Sequence, residues 1–278
     1  MPDYAVADDV STDINKRSSE ETKQMGIDLD GKAAIVTGGA RGIGKGMATA
    51  LLKAGAADTI TDIRQDTLEK TGAELEKIAK GKHLTLLADG TKDDDVNNAV
   101  KQTADAFGRI DVVINNAQGA VTGVPIQDQS VADVMVAIES GFLAAFRYMK
   151  AAFPYLKESQ GTVINFASQA GLLGNSGMLG YNAAKEAIRA LSRTAAREWA
   201  PYNITVNNII PGMLTEGSKA FFDENPEHYK HSLANIPLAR LGDPEKDAGA
   251  LVVFLASEGA HYMTGDTFNI DGGRCMRP

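Results

Sequence analysis

Tyr181 and Lys185 stand four residues apart at the start of a segment whose pattern predicts a helix over 182–198, so their side chains share one face about one turn apart. A free tyrosine hydroxyl titrates near pH ~10 and is a poor acid or base at neutral pH until a neighbouring cation stabilises the phenolate. Lowering it by about three units takes roughly 4 kcal/mol of such stabilisation, which Lys185 is placed to contribute. Ser168 lies thirteen residues before the tyrosine and follows Gly161-Thr-Val-Ile-Asn-Phe-Ala167, the pattern of a buried strand running out into a loop. Its hydroxyl suits a hydrogen bond to a substrate oxygen that gains or loses charge. Taken alone, the Tyr-x-x-x-Lys pair also fits a lysine snorkelling past a packed aromatic. The rest of the chain decides.

The elements that must position these groups begin with Ala33-Ala-Ile-Val-Thr37, a short apolar run of buried-strand type. Gly38-Gly-Ala-Arg41-Gly42-Ile43-Gly44 follows directly, and an amphipathic segment over 45–54 comes next. Strand, glycine-rich turn and helix suit a diphosphate: small residues admit the phosphates to the backbone, and the helix N-terminus offers free N–H groups and a positive dipole end. A glycine cluster alone is equally a tight structural turn. A second strand, expected over 57–63, carries Asp62 at its end, about twenty residues past the turn. An acid there accepts hydrogen bonds from the adenosine ribose hydroxyls and repels a 2′-phosphate, which favours NAD over NADP. Arg41 and Arg64 soften that preference, and Asp62 has a helix-capping or solvated-turn alternative.

Strand and helix patterns then alternate: strands over 84–88, 111–114, 162–167 and 204–210, with helices over 93–107, 131–156 and 182–198 between them. Asp89-Gly90 closes the third strand and Asn115-Asn116-Ala117 the fourth. Repeated βα units imply one Rossmann-type doubly wound α/β domain over 31–278, a parallel sheet with helices on both faces and ligand groups gathered at the strands' C-terminal ends. Pro211-Gly212 follows the sixth strand. The polar stretch 213–236, with its Phe, Tyr, His, Asn and Glu residues, breaks the rhythm and suits a substrate lid, with a surface insertion as the plain alternative. Asp243-Pro244-Glu245 then opens a helix expected to run to Ala256, with Pro at its first position. A last strand is expected over 267–270.

The net charge of -8 argues against nucleic acid or an anionic membrane surface as partner. Much of that charge lies in residues 1–31, with eight acids against three bases. Residues 1–30 show no sustained apolar face and read as a flexible or surface-hugging arm, which would alternatively cover part of a subunit interface. No apolar run reaches the ~20 residues of a membrane span, and Cys275 is the only cysteine, so no internal disulfide forms. A cytoplasmic protein fits best. No His/Cys cluster has metal-ligand spacing.

From about Asp30 onward the chain resembles the short-chain dehydrogenase/reductase family. Thr37-Gly-Gly-Ala-Arg-Gly-Ile-Gly44, Asn115-Asn-Ala117, Ser168, Tyr181-Asn-Ala-Ala-Lys185 and Pro211-Gly212 stand in the family's order and spacing. Within it, 154–168, the C-terminal stretch 262–278 and Gln118 after Asn-Asn-Ala resemble bacterial members acting on the 12α-hydroxyl of bile acids. The resemblance implies that Tyr181 exchanges the proton of a secondary alcohol while hydride passes to the nicotinamide. It implies that Lys185 lowers the tyrosine pKa and holds the nicotinamide ribose, and that Ser168 steadies the substrate oxygen. Gly38, Arg41, Gly42, Ile43 and Gly44 would wrap the diphosphate, Asp62, Ile63, Asp89, Gly90, Asn115 and Ala117 would hold the adenosine side and cleft, and Pro211, Gly212 and Thr215 would flank the nicotinamide. A homotetramer, with helices 131–156 and 182–198 at its interfaces, is also implied.

Three departures stand out. The family's relay asparagine on a helix should fall near Gly141, and glycine cannot serve, so a backbone group or water must replace it. Thr215 sits one residue closer to Pro211-Gly212 than is common. Asp62 differs from the NADP-using members. The substrate expected is a steroid, with Gln118, Gln169, Met178, Met213, Phe221 and Phe222 as candidate contacts and Leu172, Leu173 and Leu179 as further apolar lining. The alternatives are the same chemistry on an acyl thioester, sugar or aromatic alcohol, or a cofactor-binding sensor without turnover.

Overall fold

The computed structural model describes residues 27–276. Seven strands form one parallel sheet in the order β3-β2-β1-β4-β5-β6-β7. They are β1 (Ala33–Thr37), β2 (Ala57–Asp62), β3 (His83–Leu87), β4 (Val112–Asn115), β5 (Thr162–Phe166), β6 (Thr205–Pro211) and β7 (Thr267–Ile270). The chain runs outward from β1 to β3, then crosses back and runs outward from β4 to β7. The switch point lies between β1 and β4, where Val36 pairs with Ile114. Such a reversal opens a crevice beyond the strands' C-terminal ends.

Central strands are buried on both faces, which is why they read as unbroken apolar runs. Along β1, Ala34 and Val36 pack on one side with Met47, Leu51, Ile60, Leu75, Ile114 and Val252. Ile35 packs on the other, with Val96, Val100, Val113, Tyr148, Met149 and Val163. The α-helices are α1 (Gly42–Lys53), α2 (Gln65–Leu75), α3 (Asp93–Phe107), α4 (Val131–Ala137), α5 (Ala144–Ser159), α6 (Gln169–Leu173), α7 (Leu179–Trp199), α8 (Glu216–Glu224), α9 (Pro226–Ala234) and α10 (Ala250–Leu255); α8 and α9 bury no residue in these cores. None is long and apolar enough to cross a membrane.

The differences from the expected pattern are local and have local causes. The glycine turn itself forms the first turn of α1, so that helix starts at Gly42 instead of 45. The long helix expected over 131–156 is α4 and α5 joined through a π-helical turn at Ile138–Leu143, and the one expected over 243–256 opens with another at Pro244–Gly249. Its start is as expected: Asp243 accepts from the Glu245 and Lys246 N–H groups at 2.9 and 2.8 Å, with Pro244 following. Most of the N-terminal arm, residues 1–26, lies outside the described residues. Leu29 from its end is fully buried in the core. The stretch 213–236 is two short helices, α8 and α9, joined at Asn225.

Candidate active site

Ser168, at the C-terminal end of β5, and Tyr181 and Lys185, both on α7, form the candidate catalytic group. Ser168 leaves that strand and caps α6, its hydroxyl accepting from Ala170 N at 3.1 Å. Tyr181 and Lys185 occupy the first two turns of α7, which packs against the same strand. Lys185 is 3 % exposed; its ammonium donates to Phe166 O of β5 at 2.7 Å and lies 5.5 Å from the centre of the Tyr181 ring. Burial pulls its pKa from 10.5 down to about 7. Burial pushes the Tyr181 phenol up, against the pull of a hydrogen bond with Ser168. In the chain by itself the tyrosine shift is therefore opposite in sign to the one general-base chemistry asks for. A dry lysine shared between amine and ammonium supplies too little positive charge alone.

The glycine turn has a backbone that only glycine accommodates. Gly38 and Gly42 adopt φ of +64° and +54°, a region that side chains disfavour. A Cβ on Gly44 would lie 2.2 Å from Gly38 O. Asn116 ties this turn to β4: its side-chain amide donates to Thr37 O at 2.9 Å and Gly38 O at 3.3 Å, while its own N–H and that of Ala117 donate to Thr37 Oγ1 at 3.0 and 3.1 Å. Ile43 packs against the core, and Arg41 stands exposed before α1. Asn116 and Thr37 are positioning residues that the sequence marked only as part of motifs. Nothing in the sequence showed that one amide would hold two strand ends.

The remaining cofactor candidates divide. Asp62 stands at the C-terminal end of β2, accepting from Arg64 N at 3.2 Å, while the Arg64 side chain turns toward Asp66 at 3.9 Å. Ile63 beside it is 68 % exposed. Asp89 spends its carboxylate within its own turn, on the N–H and hydroxyl of Thr91; burial raises its pKa, but these bonds and Lys92 hold it below the usual carboxylate range. Gly90 packs closely on Ala144 of α5. Asn115 donates to Asn165 at 2.8 Å, which donates to Ser192 at 2.8 Å, which donates to Asn208 at 2.7 Å. That chain locks β4, β5 and β6 to α7, so Asn115 is built into the sheet rather than presented to the crevice. Pro211 ends β6 and Gly212 abuts Asp271. Thr215 lies against Gly42, on the diphosphate side, and its hydroxyl is committed to a capping box with Ser218.

The substrate candidates also sort by position. Gln118 is not free to reach a substrate: its amide nitrogen donates to Gly119 O at 2.8 Å and Ala137 O at 3.0 Å, and its Oε1 is buried without a partner among the described residues. It fills the space beside Gly141, where an added Cβ would meet Oε1 at 2.0 Å. Met213 is buried in the core, its sulfur pressed on Gly242, and does not line an open cleft. Gln169 opens α6 and Met178 precedes α7, both half-buried and close to Ser168 and Tyr181 in sequence, while Leu173 and Leu179 are exposed. Phe221 and Phe222 form an aromatic group with His228 and Tyr229, ring centres 4.9 to 6.1 Å apart, which joins α8 to α9.

Comparison with known proteins agrees with this geometry. The family model described as enoyl-(acyl carrier protein) reductase matches residues 38–274. A 12alpha-hydroxysteroid dehydrogenase of Clostridium sp. is 45 % identical over 260 residues, 91 % of this chain and all of that protein. A 3-oxoacyl-[acyl-carrier-protein] reductase of Synechocystis sp. is 34 % identical over 89 % of this chain and 98 % of its own length. A crystal structure of a putative short-chain alcohol dehydrogenase from Sinorhizobium meliloti superposes with a TM-score of 0.83 at 32 % identity, covering 89 % of this chain and 98 % of that one. The chain belongs to the short-chain dehydrogenase/reductase family and is an oxidoreductase of that family. Members of this family generally bind nicotinamide cofactors. The glycine turn, with its two left-handed glycines and the close approach of Gly38 O to Gly44 at the start of α1, fits the diphosphate of such a group.

Proposed function

We propose that this chain interconverts a secondary alcohol and a ketone on a steroid, the 12α-hydroxyl of bile acids, with NAD preferred over NADP. The observation that carries the reading is Lys185, fully enclosed, anchored on Phe166 O and set beneath the ring of Tyr181, with Ser168 leaving the same strand. When bound, the nicotinamide supplies the hydride acceptor or donor. Tyr181 accepts the proton of the substrate hydroxyl, or returns it to the carbonyl oxygen in reduction. Ser168 donates to the same oxygen. A phenolate at Tyr181 stabilises the ammonium form of Lys185, so the pair shares one proton more readily than either group alone. The 45 % identity to a named 12alpha-hydroxysteroid dehydrogenase supports the steroid, and Asp62 at the end of β2, with the Arg64 side chain directed toward Asp66, supports NAD. Exposed Val131, Met135, Val136 and Phe146 on α4 and α5 support the homotetramer that family membership implies.

The second reading is reduction of a 3-oxoacyl thioester, favoured by the acyl-carrier-protein reductases at 34 % identity. Against it, the lid carries four acids and two lysines, a poor dock for an acidic carrier. The test offers the purified protein NAD with cholate, deoxycholate and chenodeoxycholate, and separately NADH or NADPH with a 3-oxoacyl thioester, following NADH or NADPH absorbance. The steroid reading expects turnover of cholate and deoxycholate but not of chenodeoxycholate, which lacks the 12-hydroxyl. Turnover of the thioester alone would replace it with the second reading.

A further inference from the structure

Helix α1 enters the structure with no acidic residue in its first turn, and its N-cap Arg41 makes no side-chain cap. The carboxylate at that position comes instead from the lid. Glu216, the first residue of α8, reaches across so that Gly42 N–H donates to its Oε2 at 3.2 Å, and its Oε1 lies 4.0 Å from Lys45 Nζ. Lys45 is itself held by Glu74 at 2.6 Å. This reach does nothing for α8, whose N-terminus is closed by the box between Thr215 and Ser218. Nor is it forced by packing, since the Glu216 side chain is 70 % exposed. An exposed carboxylate has nonetheless taken a backbone donor at a helix N-terminus beside a lysine, the donor set that phosphate oxygens use.

We propose that Glu216 is a latch: in the nucleotide-free enzyme its carboxylate occupies a diphosphate position on the glycine turn, and phosphates entering that turn displace it and release the lid. The inference rests on reading Gly38–Gly44 as the diphosphate cradle. The same N–H cannot serve both anions, and two anions at one helix N-terminus repel each other. Displacement detaches the first turn of α8 from α1, and the aromatic contacts of Phe221 and Phe222 with His228 and Tyr229 carry α9 along with it. Binding order follows: the lid is set free to receive substrate only after the phosphates are in place.

The test uses the full chain, with Glu216→Ala and wild type compared. Limited trypsin digestion reports the lid through cleavage after the exposed Lys219 and Lys230, read by mass spectrometry without ligand, with adenosine and with saturating ADP. We expect ADP to speed cleavage severalfold in wild type and adenosine to leave it unchanged, whereas Glu216→Ala is cleaved fast from the outset and does not respond. Calorimetry should show Glu216→Ala binding ADP roughly two- to five-fold more tightly. Tighter binding with no change in lid cleavage would reduce Glu216 to a repelling charge and overturn the latch, as would ADP slowing wild-type cleavage or unchanged ADP affinity. If wild type bound no ADP at all, the cradle reading itself would fall.

Discussion

Lys185 and Asp58 are both ionisable groups cut off from water, 3 % and 0 % exposed, and burial disfavours the charged form of each. Their settings differ. Lys185 stands near the C-terminal end of the sheet, hydrogen-bonded to Phe166 O and stacked beneath Tyr181. Asp58 stands near the opposite end of β2, paired through its backbone with Ala34 and His83, and neither carboxylate oxygen has a partner among the described residues. Burial raises its pKa well above 3.8, favouring the neutral acid. A perturbed pKa therefore marks a functional group only when the surroundings also give the proton somewhere to go. Lys185 has a phenol over it and a crevice beyond. Asp58 has neither.

The largest effect expected from this contrast is at the lysine. Lys185→Met should cost turnover roughly 10²- to 10⁴-fold while making the fold more stable. The sign follows from proton binding: the unfolded chain holds this proton up to about pH 10.5, the folded chain only to about 7, so wild-type stability rises with pH across that window. Methionine removes the dependence. Chemical denaturation should show the variant ahead by about 2–3 kcal/mol at pH 7, after the lost bond to Phe166 is counted, with the gap closing toward pH 10. A variant less stable than wild type at both pH values would mean that the lysine is structural and the comparison misdrawn.

Asp58→Val should stabilise by about 1–3 kcal/mol and leave turnover unchanged, because it removes a buried polar group without partners from a strand that favours β-branched residues. Here the linkage runs the other way from a salt-bridged acid. The folded pKa is raised, so wild-type stability falls as pH climbs above 3.8 toward that raised value, and the advantage of valine grows over the same range. Melting curves at pH 4 and pH 7 measure it. Loss of activity in a well-folded Asp58→Val would give the carboxyl a function and erase the distinction.

The two residues also show what was legible in the sequence. Lys185 was visible because four-residue spacing from Tyr181 puts the two on one helix face, and because the glycine turn, Ser168 and Asp62 each fall at a strand end, where a parallel sheet gathers ligands. Asp58 was not, since an acid inside Ala57-Asp-Thr-Ile-Thr-Asp62 has the alternation of a half-exposed strand, and only the packing of helices on both faces buries it. Helix α2 was missed for a related reason: Leu68, Thr71, Gly72 and Leu75 form its buried stripe, and two of those four are not apolar. The π turns leave no period that distinguishes them from an α-helix. Glu216 and Asn116 act across long sequence separations, through contacts that only the closed fold brings together.

Gln118 falls between the two extremes, with both amide hydrogens placed and its oxygen buried without a partner. Its place depends on the missing side chain at Gly141, which lies in the π turn that packs against α7. A side chain at 141 can enter only by expelling the end of Gln118, a flexible group, so the cost is the two hydrogen bonds to Gly119 O and Ala137 O and not a backbone clash. Gly141→Asn should therefore destabilise by about 1–2 kcal/mol, and Gln118→Ala by a similar amount from the same lost bonds and the void left behind. Because both side chains compete for one space, the double variant should recover at least ~1 kcal/mol of the summed loss, the asparagine amide filling the gap that glutamine vacated. Strict additivity in denaturant midpoints would show that the two sites do not share that space, and the Gly141 departure from the family pattern would then need a different cause.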